Sequence, residues 1–257
     1  MNRYTFAAAV LGLALALPAR ADDSYAERAR AFLDALTLDK VDPKVVETLT
    51  AQLTAHLEGR AADPESDFIG EALLVAYPEY RAAMKSWFRQ YYEQAGNQLK
   101  AVAAGTDNDY LLAHANYFYA RCLLQLGSFE TARGILADVA RKDELARFNR
   151  DYEVVFYLGL AQGQMLMRDD AHRTFTAFMK DYPAAPERYR MLATKIASEL
   201  KVRGENELYD LSDRMTLVQN YLSKQISGKD CQKRETEIVE LLDALIKKAE
   251  EQEQSGT

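Results

Sequence analysis

Residues 152–183 read YEVVFYLGLAQGQMLMRDDAHRTFTAFMKDYP, and this stretch decides the fold. Its apolar residues recur at helical spacing, not in strict alternation. Gly159 and Ala171 are small enough to let two antiparallel helices approach closely. Phe175 would fill the space beside that contact, and Pro183 would stop the second helix. The stretch therefore predicts one helical hairpin.

A second hairpin precedes it, from about Leu111 to Lys142. Its first helix, helix A, carries Tyr117, Ala120, Leu123 and Leu124; Gly127 ends that helix and Ser128 caps the next. Ala132, Leu136 and Val139 line helix B. Aligning Ala132 with Ala171 places Ala120 at Gly159, Leu136 at Phe175 and Gly127 at Leu166, so the later hairpin lacks the turn glycine. An insertion around Lys142 to Asp151 lengthens the period between them.

Further along, a third helix pair is expected to start at Pro186 and end at Gly204. Leu208, Leu211, Met215, Val218 and Leu222 then recur at three and four. Gly228 interrupts, and Ile238, Leu242, Leu245 and Ala249 resume the pattern. This predicts a C-terminal helical hairpin or short coiled coil over residues 205–257, able to cap a repeat stack, with a polar, frayed tail from Glu250.

Upstream, Tyr25, Ala29, Phe32, Leu33 and Leu36 form a first amphipathic helix. Asp42-Pro43 opens a helix ending at Gly59, and Asp63-Pro64 opens the next in the same way. Pro78 breaks the following run. One longer helix is then expected to carry Tyr80, Met84, Trp87, Phe88, Tyr91, Ala95, Leu99 and Val102 as a single wide stripe. Such a stripe usually packs on neighbouring helices. Gly105 to Asp109 is a loop; its acidic residues lack the glycine and distal glutamate of a calcium loop, and capping of the next helix explains them.

Residues 1–21 have the form of a bacterial secretory signal: Arg3, the apolar run Phe6 to Leu17, and Ala19-Arg20-Ala21 as a cleavage site. The expectation is a periplasmic or secreted protein, with no membrane insertion after signal removal. Losing Arg3 and Arg20 takes Lys+Arg from 32 to 30 against 39 Asp+Glu, a formal charge of −9. That balance argues against nucleic acid as partner, since phosphate binding needs a basic patch. An exported compartment permits a Cys122–Cys231 bridge, but the apolar helix around Cys122 favours a buried thiol.

The pattern of residues 152–183, and less fully 111–142, resembles the tetratricopeptide repeat family. With its leader, the chain is similar to exported bacterial tetratricopeptide proteins, including poorly characterised planctomycete-type members. The resemblance implies an all-α fold, a right-handed stack of antiparallel hairpins, arranged as an N-terminal helical region (22–104), the repeats (105–204) and the C-terminal hairpin. It also implies a ligand face on the A helices. Carried over residue by residue, that face comprises His114, Tyr117 and Arg121, then Glu153, Phe156 and Gln164. Only Arg121 matches the family's basic clamp for peptide C-termini.

No catalytic set emerges. His56, His114 and His172 lie in separate helices without metal-ligand spacing, and no nucleophile elbow, Walker loop or paired-cysteine motif occurs. No cofactor and no metal are expected. The function expected is a non-catalytic scaffold or adaptor binding a protein or peptide. The alternatives are a structural protein forming a homodimer through 205–252, and an envelope hydrolase or carbohydrate binder using the aromatic helix from Tyr80 to Val102.

Overall fold

The computed structural model describes residues 20–59, 67–224 and 228–255. Among these residues there are thirteen α-helices and no strand, so the all-α expectation holds. Residues 1–21, expected to be a secretory signal, lie outside them except for Arg20 and Ala21, and the Asp63-Pro64 helix start falls outside as well. No described helix is long and apolar enough to cross a membrane.

The proline signals act as read. α1 (Arg20–Leu38) is followed by α2 (Pro43–Gly59), where the Asp42 carboxylate accepts the Lys44 N–H at 2.9 Å. α3 (Phe68–Ala76) is capped by Asp67, whose Oδ1 accepts the Gly70 N–H at 3.1 Å. Pro78 then opens α4 (Pro78–Phe88). A proline at the first helical turn removes only an N–H that would have no helical partner.

The single helix expected from Tyr80 to Val102 is instead two, α4 and α5 (Tyr92–Ala104), packed antiparallel. Gln90 takes the left-handed conformation, with φ of 64°. Its N–H bonds the Trp87 carbonyl at 2.9 Å, and the Tyr91 N–H bonds the Ser86 carbonyl at 3.0 Å. These two bonds make a Schellman turn. A left-handed non-glycine costs on the order of 1–2 kcal/mol. The folded hairpin offsets this by burying both faces of the stripe, including Tyr80, Ala83, Met84, Ala95 and Leu99, in one cluster.

The same turn recurs between α6 (Asp109–Gln125) and α7 (Phe129–Val139), and between α9 (Asp151–Gln164) and α10 (Arg168–Asp181). Gly127 and Leu166 hold the left-handed place, with φ of 68° and 59°. Ser128 bonds the Leu123 carbonyl at 2.8 Å and Met167 the Gln162 carbonyl at 3.0 Å, matching Tyr91 on Ser86. Past each turn the residues correspond in rank: Ala95, Ala132 and Ala171; Leu99, Leu136 and Phe175; Val102, Val139 and Phe178. All are buried. Among the described residues there are thus three equivalent hairpins in series, one more than the clear pair in the sequence.

They stack in order. α5 packs on α6, α7 on α9, and α10 on α11 (Glu187–Glu205), which is one unbroken helix over the span expected to hold a helix pair. The insertion contains one short helix, α8 (Lys142–Leu145). α12 (Glu207–Ser223) and α13 (Lys229–Ser255) form the C-terminal hairpin, and the tail expected to fray is helical through Ser255. Arg168 on α10 ties this hairpin to the stack through Asp210 at 2.5 Å and Asp213 at 3.1 Å. Cys122 and Cys231 are free, buried thiols in separate clusters.

Candidate functional site

The A helices α4, α6 and α9 contribute one face each to a cavity of about 350 Å³. α11 adds Tyr189, α3 adds Glu71 and its cap Asp67, and the insertion adds Phe148 and Arg150. Trp87 and Phe88 come from α4, and His114, Tyr117, Phe118 and Arg121 from α6.

Glu153 is the organising group. It is almost entirely buried, and its carboxylate accepts from Tyr117 at 2.9 Å and from Tyr189 at 2.6 Å. Arg150 also donates to it, and Arg121 stands 4.0 Å away. A buried carboxylate persists only when its lone pairs are met in this way. Arg121 bonds the Tyr157 hydroxyl at 2.8 Å and lies over the rings of Tyr157 and Trp87 at 4.2 and 4.7 Å. Burial opposes its charge, but the tyrosines and Glu153 outweigh burial and hold the guanidinium above its ordinary pKa. Burial raises the Tyr117 phenol far above its usual range, so it stays a donor.

His114 has a different character. Its Nε2 lies 3.2 Å from the Arg147 carbonyl, which can only accept, so Nε2 carries a proton. Burial lowers its pKa, favouring the neutral ring, whose Nδ1 is then a lone pair. That Nδ1 is buried and has no hydrogen-bond partner, and neither has the indole N–H of Trp87. Phe148 stacks on the imidazole with ring centroids 4.3 Å apart.

The insertion that stretches the repeat period builds this side of the cavity. It is pinned from several elements. Arg28 of α1 donates to the Phe148 carbonyl at 2.7 Å and to Asp151 at 3.1 Å. The Ile69 N–H of α3 bonds Asn149 at 2.9 Å, and Arg147 bonds Asp109 of α6 at 2.9 Å.

Of the residues carried over from the repeat resemblance, His114, Tyr117, Arg121 and Glu153 meet at this cavity. Phe156 and Gln164 do not. Phe156 is turned toward α10 and α11, its ring 5.8 Å from Phe175 and 5.0 Å from Tyr189. Gln164 lies exposed in the last turn of α9. Asp67, Phe148, Arg150 and Tyr189 were not expected; the lengthened period around Lys142 to Asp151 was the only signal for Phe148 and Arg150, and Asp67 and Tyr189 had none. Trp87 lines the cavity while Tyr91 lies outside it, 58% exposed, so the aromatic helix contributes only its α4 half.

No protein-family model, curated protein or solved structure matches this chain.

Proposed function

We propose that this chain is a non-catalytic interaction protein of the bacterial periplasm or envelope, holding a segment of a protein partner in the cavity on its A-helix face. One observation carries the reading: successive A helices, not their B helices, converge on a cavity that joins aromatic walls to a buried Glu153–arginine–tyrosine network. Aromatic residues and arginine are enriched where proteins bind one another. The leader pattern of residues 1–21 supports export.

The test is affinity capture from an envelope extract, followed by reconstitution with the purified captured protein. Phe88 lines the cavity yet is 66% exposed, so Phe88→Ser removes apolar contact area without disturbing the core. Weaker direct binding by the variant, with an unchanged melting temperature, is the expected result. Equal binding by both proteins would remove the A-helix face from consideration.

A second reading, self-association through residues 205–252, is supported by exposed apolar side chains on both helices of the C-terminal hairpin. These are Leu208, Met215 and Leu222 on α12, and Val239, Leu242 and Ile246 on α13. Light scattering of the full chain decides it; a constant monomer mass over rising concentration ends that reading.

A further inference from the structure

Resting on the partner-binding reading above, we infer that the cavity receives a lysine or arginine side chain of the bound segment, with Asp67 and the Nδ1 lone pair of His114 meeting its cationic end.

Charge is the first reason. The cavity is lined by the carboxylates of Asp67, Glu71 and Glu153 and by the guanidiniums of Arg121 and Arg150, which leaves it one negative charge in excess. The two cations are already engaged. Arg150 donates to Glu153, and Arg121 is bonded to Tyr117 and Tyr157 while standing against Glu153. Glu153 in turn accepts from two tyrosines. An incoming anion would compete with that saturated carboxylate and face Asp67 and Glu71.

The second reason is the chemistry left open. His114 is 1% exposed, lines the cavity, and presents an unpartnered Nδ1. With its proton fixed on Nε2 by the Arg147 carbonyl, that nitrogen seeks a donor. Asp67 lies close enough for its charge to act on His114, Tyr80 and Arg150. A cationic side chain brings several N–H donors to one point and satisfies both acceptors; a neutral apolar one would leave the imidazole nitrogen orphaned. The walls suit its aliphatic stem: Leu74, Met84, Phe88 and Phe118 also line the cavity. The unpartnered Trp87 N–H can bond a main-chain carbonyl of the same segment.

Trp87 is the one tryptophan of the chain, so its fluorescence reports on this cavity directly. The probes are acetylated tripeptide amides of sequence Leu-Lys-Leu, Leu-Arg-Leu, Leu-norleucine-Leu and Leu-Glu-Leu, titrated into the purified full chain. Saturable fluorescence change is expected with the lysine or arginine peptide, and weaker binding with norleucine, which keeps the stem and loses the charge. Asp67→Asn, which keeps a helix-capping oxygen for α3, should weaken the cationic peptide about tenfold and leave the norleucine peptide unchanged. Glu130→Gln, on the distant α7, should change neither. Tighter binding of the glutamate peptide, or equal binding of lysine and norleucine peptides, overturns the cationic assignment. Either result leaves the partner reading standing if Phe88→Ser still weakens capture. Silence of all four peptides together with unchanged capture by Phe88→Ser ends both.

Discussion

The hairpins α6/α7 and α9/α10 follow the same backbone path with different side chains. In the earlier hairpin, Ala120 and Leu136 lie in one buried cluster and a glycine makes the turn. In the later one, Gly159 faces the Phe175 ring and a leucine makes the turn. A methyl lost on helix A is matched by a larger residue on helix B, so the contact stays filled. What is shared is the volume across the contact and the hydrogen bonds of the turn, not residue identity.

The comparison breaks most easily at the large partner. Phe175 is completely buried, and Phe175→Ala should lower stability by about 3–5 kcal/mol through the cavity it leaves, read from urea unfolding. Next comes the small partner. A Cβ at Gly159 would lie 2.8 Å from the Phe175 ring, so Gly159→Ala should cost about 1–3 kcal/mol by overpacking. Combining Gly159→Ala with Phe175→Leu rebuilds the Ala120–Leu136 pair, and the double variant should be more stable than the sum of its single changes indicates. Strict additivity in that cycle would show that the two sites do not share one volume.

The turns sharpen the comparison at smaller energies. Gly127→Ala forces a side chain into the left-handed region and against Asn220 and Lys224, and should cost on the order of 1–2 kcal/mol. Gln90 is exposed in the equivalent turn of α4/α5, so Gln90→Gly should stabilise by about 0.5–1 kcal/mol. A drop in the melting temperature would mean that the glutamine side chain contributes more than its backbone strain removes.

Equivalent places in α6 and α9 also carry His114 and Glu153, one a ring that burial keeps neutral and the other an acceptor for two tyrosines. Because burial holds the folded pKa of His114 below its unfolded value of about 6.5, falling pH protonates the unfolded chain first. Stability should therefore be full above that value and decline as pH drops through and below it. Melting curves from pH 8 to pH 5 check this, and His114→Asn should flatten the slope.

Much of the architecture was legible. Pro43 and Pro78 mark helix starts where the structure has them, and the small residues of 152–183 predicted the packed hairpin. The α4/α5 turn was not legible, because Gln90 carries no glycine signal for its left-handed backbone. Tertiary burial on both sides stabilises a conformation that local preference disfavours. The site was half legible: His114, Tyr117, Arg121 and Glu153 stand on the expected A-helix face, whereas Phe156 turned inward among the aromatic rings of α10 and α11.

By itself, then, the sequence determined that the chain is a series of helices with apolar stripes, where prolines and caps start them, and which small residues let them pair. These are local matters of backbone sterics and periodicity. Only the tertiary structure decided that the hairpins number one more than they seem, and that the insertion around Phe148 and Arg150 folds back over α6. It also decided that Asp67, His114 and Glu153, far apart in the chain, share one cavity. Such placements depend on long-range packing and on satisfying buried polar groups, which no local pattern encodes.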